Sequence, residues 1–310
     1  MSEPLTDEQL AERTRRASQA AREAATALGL RVERTTVLHD AFSVVVRLDP
    51  EPVVARIPVV SISGSDPDRQ HRRQQRELDV AAWLADHDVP VVRPASGVPR
   101  TPVRHNGFAM TFWELADLAD DHAPYQGVSV SYSAQLHAGL AAYPAPLPFL
   151  APFNQGVPEL LDRLTPGALL TGPDIARARR EFGALRAVLA DETGFRAAFP
   201  GLAVQPIQGD APSHNVIRTR SGIVFADFED VCRGPVEWDV AFLGAEATAE
   251  YDAAAQAHGL RPLDPGVLHV MERARRLQFL ACVALVDELP LLATGLAQAV
   301  DEWRALDEGA

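Results

Sequence analysis

The segment QPIQGDAPSHNVIRTRSGIVFADFEDVCRGPVEWD, residues 205–239, determines how the rest of the chain is interpreted. It contains two β-prone runs, Val216–Arg218 and Ile223–Ala226, which are separated by the turn-like sequence TRSG. If the two runs pair as a hairpin, Asn215 and Asp227 lie side by side at its open end. Directly opposed residues in such a pair have Cα atoms about 4.5–5.5 Å apart.

The side chains at this open end suit a hard divalent cation. An amide oxygen and a carboxylate can share one Mg²⁺, which takes few protein ligands and fills its other positions with water and phosphate oxygens. The sequence therefore predicts Asn215 and Asp227 as metal ligands, and it leaves Asp210, in the preceding loop, to accept a proton from a hydroxyl. The alternative is an ordinary loop followed by a solvated turn, DFED, around a buried Phe228.

The pattern GDxxxxN followed by DFE resembles the catalytic segment of the aminoglycoside phosphotransferase and choline kinase-like family of small-molecule kinases. The tail GPVEWD is similar to the family as well, where a Trp-Asp pair opens the following helix. The family pattern has histidine before GD, whereas this chain has Gln208, at a position that supports the loop and does no chemistry. The resemblance implies ATP and Mg²⁺ as cofactors, Asp210 as the catalytic residue, and Glu229 as a less certain contributor to the metal site.

The resemblance extends over roughly residues 30–290 and implies the fold class. That class is α+β, a bilobed protein-kinase-like fold with a small β-rich N-lobe and a larger helical C-lobe. We expect the N-lobe to span residues 1–114. The C-lobe, residues 115–310, would begin with an acidic linker at 115–127 and would contain the catalytic hairpin and the acceptor pocket.

Composition excludes several classes of protein. The 310 residues carry a net charge of −13, which argues against nucleic-acid binding and is compatible with a cationic substrate. All 29 basic residues are arginine, so any task usually given to lysine falls to arginine here. No GxGxxG or GxxxxGK[ST] motif occurs, so neither a glycine-rich phosphate loop nor a P-loop is supported.

The chain also lacks signals for export or membrane insertion. Its two cysteines, Cys232 and Cys282, are too few for a disulfide framework, and no apolar run is long enough to span a membrane. The N-terminus, MSEPLTDEQLAER, is charged and acidic, unlike a secretory signal. We therefore expect a cytoplasmic protein with no nucleic-acid or membrane partner.

The N-terminal third predicts a helix over residues 7–28, strands over 31–38, 42–48 and 52–57, and a helix from Asp66 to about His87. Arg56 is an inward-facing cation within the run VVARI, and the resemblance implies that it holds the nucleotide phosphates in place of the family's lysine. Glu77 shares a helical stripe with apolar residues, which predicts an ion pair with Arg56. The alternatives are an edge-strand arginine that reaches water and a solvated Glu77.

The remaining nucleotide contacts are implied by the resemblance alone. Ser43 would lie near the phosphates. The strand at 108–113 would lead into a lobe linker at Thr111–Leu115, with Trp113 and Glu114 as neighbours of the purine. Trp113 is equally compatible with a place in the hydrophobic core.

The C-terminal two thirds have helical spacing at 131–143, 156–164, 173–191, 235–251, 265–289 and 291–306. The resemblance implies a kinase that transfers the γ-phosphoryl group of ATP to a hydroxyl of a small molecule. The acceptor is an aminoglycoside-like antibiotic or a metabolite, and a cationic compound is among the options. The alternative is a catalytically silent nucleotide-binding protein of the same fold.

Overall fold

The computed structural model describes residues 4–60, 66–123 and 126–306. A small antiparallel sheet with two flanking helices forms the N-terminal part, and a larger helical part follows. The predicted bilobed α+β architecture is confirmed. Within the described residues, no helix is both long and apolar enough to cross a membrane.

The N-terminal part is built on one sheet in which every pair of neighbouring strands is antiparallel. Among the described residues its strand order is β1-β2-β3-β5-β4. The elements are α1 (Asp7–Ala27), β1 (Val32–Asp40), β2 (Ser43–Pro50), β3 (Val53–Pro58), α2 (Pro67–Asp86), β4 (Val103–His105) and β5 (Phe108–Glu114).

Helix α1 begins at a reciprocal cap, as its sequence predicts. The Thr6 hydroxyl accepts a hydrogen bond from the Gln9 backbone, and the Gln9 side chain accepts one from the Thr6 backbone. A stripe of buried alanines on α1 packs against one face of the sheet, where β3 contributes Val53, Ala55 and Ile57. Because side chains alternate along a strand, Arg56 lies on the opposite face.

Helix α2 begins at Asp66, whose side chain accepts a hydrogen bond from the Asp68 backbone, and Pro67 occupies its first turn. Its residues Leu78 and Leu84 share a buried cluster with Trp113 of β5. This cluster also contains residues of the segment 205–239, so α2 is packed close to the predicted catalytic segment.

The helical part surrounds the largest buried cluster, which includes Phe153, Trp238, Tyr251 and Trp303. Its elements are α3 (Ser131–Leu140), a π-helical turn (Pro152–Gly156), α4 (Val157–Arg163), α5 (Gly172–Leu189), α6 (Glu192–Ala198), β6 (Gln205–Ile207), β7 (Val216–Thr219), β8 (Gly222–Phe225), β9 (Cys232–Gly234), α7 (Gly244–Ala257), α8 (Pro265–Ala281) and α9 (Ala293–Arg304). Short 3₁₀ turns occur at Val236–Trp238, Cys282–Leu285 and Pro290–Leu292.

The prediction of one helix over residues 235–251 is wrong. The chain makes only a 3₁₀ turn before Asp239, and α7 does not begin until Gly244. Phe242 and Gly244 have φ values of 69° and 79°, and a right-handed helix cannot pass through residues in this left-handed region. Because the helix does not start before Gly244, the Asp239 side chain lies next to the loop that leads into Asp210.

Candidate active site

The predicted hairpin is present and carries Asn215 and Asp227 at its open end. Strands β7 and β8 pair from Val216 opposite Phe225 to Thr219 opposite Gly222. The pairing continues for one more residue, because the Ala226 amide donates to the Asn215 carbonyl at 2.9 Å. Asn215 therefore lies opposite Ala226, and Asp227 is the next residue, with a φ of 60° that aspartate tolerates better than most residues.

Gln208, at the position where the family has histidine, connects this end of the hairpin to the loop that leads into Asp210. Its side-chain amide donates to the carbonyls of Ala226 and Asp227 at 2.9 and 3.2 Å. Its side-chain oxygen accepts a long hydrogen bond of 3.5 Å from the Asn215 amide. Because Gln208 is fully buried, these bonds stabilise the backbone at Ala226 and Asp227 and contact the side chain of Asn215.

Asp210 lies beside Asn215 and has a second partner that the sequence did not predict. One carboxylate oxygen accepts from the Asn215 side-chain amide at 2.9 Å, and the other accepts from the Arg275 guanidinium at 3.0 Å. Although loss of hydration in the cleft opposes ionisation, Arg275 and Asn215 together lower the pKa of Asp210. Asp210 is therefore ionised at neutral pH and suited to orient a hydroxyl.

Arg56 is the centre of the charged cluster. Its guanidinium lies 3.2 Å from Glu77 on α2, 3.1 Å from Asp227 and 3.1 Å from Glu229. The structure thus brings together the predicted phosphate-binding cation, its predicted helix partner and two predicted metal-site carboxylates. Glu77 is buried, with 2% of its side chain exposed, whereas Asp227 keeps 40% exposed to the cleft.

The cluster holds more negative charge than its arginines neutralise. Loss of hydration, together with the neighbouring carboxylates of Glu229, Asp210 and Asp230, raises the pKa of Asp227 to about 7 although Arg56 opposes this shift. A divalent cation bound here would relieve the repulsion, and the donor set of carboxylates and an amide oxygen suits Mg²⁺. Among the described residues no group of three or more His, Cys, Asp or Glu forms a metal cage. A Mg²⁺ ion would thus depend on phosphate and water for its other ligands.

A buried network fixes the loop that carries Asp210. The Asp239 carboxylate accepts from the backbone amides of Gln208 and Gly209 at 2.8 and 2.9 Å. The same carboxylate contacts the His137 ring at 3.0 Å, and the other ring nitrogen of His137 lies 2.7 Å from the Tyr251 hydroxyl. His137 is therefore a buried core residue whose two ring nitrogens both have partners.

Gly209 is required by the close approach of two backbone segments. Its φ is +88°, and a Cβ at this position would lie 2.0 Å from the carbonyl oxygen of Asp230. The loop before Asp210 therefore touches the segment after Glu229 with no room for a side chain. The Trp238 indole also donates to the Gly209 carbonyl at 2.8 Å.

The other predicted nucleotide residues lie on the sheet. Thr111 is paired with Arg56 across β3 and β5, and its buried hydroxyl accepts from the Trp113 indole at 2.8 Å. Trp113 lies in the hydrophobic cluster with α2, and the Glu114 amide donates to the Arg93 carbonyl. The hydroxyl of Ser43 is buried and has no hydrogen-bond partner within the part of the chain that the structure describes.

The sequence analysis missed Arg275 and did not assign roles to Arg73 and Asp230. Arg275 lies on α8, 65 residues from Asp210, and its spacing in the run MERARR gives no signal. Arg73 donates to Asp230 at 2.6 Å and lies 3.4 Å from Glu229. Its position on the same helical stripe as Glu77 was a usable signal.

These features define a phosphotransferase-like site on a protein-kinase-like fold. A family model described as the phosphotransferase enzyme family (APH) matches residues 37–272, and the chain belongs to this family. No curated protein has a significant sequence match to the chain.

Solved structures share the fold over nearly the whole chain. A choline/ethanolamine kinase family protein from Mesorhizobium loti is 19% identical, with a TM-score of 0.59 over 94% of this chain and 96% of its own. Amicoumacin kinase hAmiN, solved with AMP-PNP, Ca²⁺ and Ami, is 14% identical, with a TM-score of 0.61 over 96% and 95%. Choline kinase LicA from Streptococcus pneumoniae is 12% identical, with a TM-score of 0.60 over 92% and 99%.

Proposed function

We propose that this protein is an ATP- and Mg²⁺-dependent kinase that transfers the γ-phosphoryl group to a hydroxyl of a small molecule. The observation that carries the proposal is the convergence of Asp210, Asn215 and Asp227 with the pair Arg56–Glu77. These residues come from a loop, a hairpin, a strand and a helix, yet neighbouring members lie within hydrogen-bond distance of each other. Membership of the phosphotransferase family and the kinase fold support the same reaction type.

In this proposal the protein positions its reactants and neutralises their charge. Asp210 orients the acceptor hydroxyl and receives its proton as the oxygen attacks the γ-phosphorus and the bond from that phosphorus to the leaving ADP breaks. Asn215 and Asp227 would hold Mg²⁺, with Glu229 as a further ligand or support, and the bound ion would supply positive charge to the phosphate oxygens. Phosphoryl transfer needs little more than this positioning and charge neutralisation.

Arg56 would hold the nucleotide phosphates while Glu77 fixes its direction. Ser43 offers a hydroxyl without a protein partner near the start of β2. Thr111 and Trp113 would support the purine side of the cleft from within the sheet, and Glu114 would lie at its edge. Arg275 would hold the Asp210 carboxylate in its ionised form.

A second candidate function is nucleotide binding without catalysis. The observation that favours it is the occupancy of both metal-site carboxylates by arginine, since Arg56 contacts Asp227 and Glu229 at once. A kinase must give up part of this contact when Mg²⁺ and nucleotide bind. A silent protein would keep it.

ATP turnover over a panel of hydroxylated compounds separates the two candidates. We expect Mg²⁺-dependent turnover with at least one acceptor, loss of that turnover in Asp227→Ala, and loss of transfer with retained nucleotide binding in Asp210→Ala. Nucleotide binding without turnover for any acceptor would favour the silent protein. Full phosphotransfer by Asp210→Ala would show that its assigned role is wrong.

A further inference from the structure

A cavity of about 510 Å³ lies between α2 and the segment 148–159, outside the residues assigned above. Four arginines from successive turns of α2 line one side of it, and Asp230 and Gln278 form part of its wall. Its volume is within the usual range for small-molecule sites. The four arginines are Arg69, Arg72, Arg73 and Arg76.

Ion pairs neutralise only half of these arginines. Arg69 contacts Glu159, and Arg73 contacts Asp230. Arg72 and Arg76 form no ion pair within 4 Å among the described residues. The cavity wall therefore keeps two positive charges without a direct ion-pair partner among the described residues, although the chain as a whole carries −13.

Arg76 is the less hydrated of the two. It is half-buried, and the atom Nε is buried without a hydrogen-bond partner. Its one hydrogen bond in the structure is a long contact of 3.4 Å to the Glu229 carbonyl. An anion would supply the missing partner.

The Arg275 side chain connects the wall of the cavity to the Asp210 carboxylate. The Gln278 oxygen, at the cavity wall, accepts from the Arg275 guanidinium at 2.9 Å, and Arg275 donates in turn to Asp210. Asp230, on the same wall, directly follows Glu229. A ligand in the cavity would thus lie beside Gln278 and Asp230, which connect to Asp210 and Glu229.

A second surface near Arg275, formed by Phe242 and Phe279, also carries positive charge. Phe242 and Phe279 are about two-fifths exposed, and their ring centres are 6.1 Å apart. The guanidinium of Arg276 lies 5.4 Å from the Phe242 ring, and that of Arg275 lies 5.3 Å from the Phe279 ring. Both aromatic rings therefore already contact a cation, and an ammonium group would be repelled there.

We propose that this cavity binds an anionic group of the acceptor, a carboxylate or a phosphate, through Arg72 and Arg76, so that the substrate is a hydroxylated anion. This proposal rests on the proposed kinase function. It names the opposite charge from the one that the acidic composition suggested, because local charge at the site and not net charge selects a ligand.

Direct anion binding tests the cavity independently of turnover. We would titrate the full-length protein with inorganic phosphate and with malonate at constant ionic strength, by calorimetry and thermal shift. We expect saturable binding that weakens at least tenfold in the double variant Arg72→Gln/Arg76→Gln and is retained in Arg76→Lys. Arg16→Gln/Arg22→Gln, which changes two exposed arginines of α1, is the charge-matched control and should bind like the wild type.

Absence of saturable binding, or equal binding in the double variant and the control, would overturn the proposal. Circular dichroism of each variant ensures that a loss of binding is not a loss of folding. If anion binding behaves as expected but no acceptor is phosphorylated, the kinase proposal fails and the anion site stands.

Turnover then tests the acceptor class. Matched compounds such as glucose, gluconate, glucose 6-phosphate and glucosamine, within a wider acceptor panel, separate neutral, carboxylate, phosphate and cationic acceptors. We expect the active acceptors to be anionic, with KM raised at least tenfold and kcat changed less in Arg72→Gln/Arg76→Gln. A cationic or neutral preference would overturn the proposal.

Discussion

The ionised carboxylate of Asp227 destabilises the protein without a bound cation, but it is a suitable cation ligand. Its pKa is raised to about 7, so the folded protein binds a proton here that the unfolded chain has released between about pH 4 and pH 7. The contribution of Asp227 to the free energy of unfolding therefore falls as pH rises through this window. A carboxylate that destabilises the free protein and suits a cation is typical of a functional site.

The variant Asp227→Asn should therefore be more stable than the wild type at pH 8 without Mg²⁺. Because the side chain is partly exposed, we expect a modest gain, about 2 °C in Tm. The gain should shrink toward pH 4, where the folded carboxyl is protonated and about half of the unfolded carboxyls are protonated as well. Thermal unfolding between pH 4 and 8 measures it, with the exposed Asp120→Asn as control; a variant less stable than the wild type at pH 8 would contradict the assignment.

Gly209→Ala should destabilise the catalytic loop severely, because its new Cβ meets the Asp230 carbonyl at 2.0 Å. Gly201→Ala is the matched control, since Gly201 has a φ of +83° with no atom within 4 Å of the added Cβ. The control should cost only the left-handed conformation, about 1–2 kcal/mol. Urea unfolding compares the two; equal losses would mean that the backbone contact is absent in solution.

At the residue scale, the sequence was informative where the chemistry is local. Asp210, Asn215 and Asp227 fall within 18 residues and form a recognisable pattern, so their proximity could be inferred from one hairpin. Arg275 could not be inferred, because its contact with Asp210 depends on how α8 packs against the catalytic loop. Nothing in the spacing of α8 distinguishes it from Arg273 or Arg276.

At the scale of elements, the network of Asp239, His137 and Tyr251 joins α3 and α7 to the catalytic loop. Asp239→Ala would leave two backbone amides and a buried imidazole without an acceptor. We expect a loss of about 3–5 kcal/mol in the free energy of unfolding. Asp162→Ala, at an exposed aspartate of α4, should change it by less than about 0.5 kcal/mol.

Urea unfolding with matched m-values measures this difference. A loss at Asp239 no larger than that at Asp162 would show that the network does not hold the loop.

The elements themselves were predictable to differing degrees. Helices α1 and α2 could be placed because caps and apolar stripes agree in each of them. The break before α7 could not be placed, because Phe242 adopts a left-handed conformation that no sequence rule assigns to phenylalanine.

At the scale of the whole molecule, Arg56 links the sheet and α2 to the hairpin of the helical part. Arg56→Gln should therefore weaken both Mg·ATP binding and the contact between the two parts. Loss of one charge-assisted bond costs about 1.5–3 kcal/mol, so we expect nucleotide affinity to fall about 10- to 100-fold. Calorimetric titration measures it, with Arg22→Gln as control, an exposed arginine of α1 on the other side of the sheet; an unchanged affinity would remove Arg56 from the site.

The global fold was predictable because one specific motif fixed the family, and the order of strands and helices then agreed with it. The proposed charge of the acceptor could not be predicted, since a net charge of −13 is compatible with a cationic substrate, whereas the arginine-lined cavity favours an anionic one. The spacing of the four arginines places them on one face of α2, and the packing of α2 near the segment 148–159 makes that face a cavity wall. Composition averages over the surface, whereas a ligand responds to the local field.

The most direct test of the account is calorimetric titration of ATP with and without Mg²⁺, for the wild type and for Asp227→Asn. We expect tight binding to the wild type only with Mg²⁺, and an affinity at least tenfold weaker in the variant, because the ion loses its charged ligand. ATP binding that is independent of Mg²⁺, or that is equal in the two proteins, would contradict the claim that this hairpin holds a magnesium nucleotide.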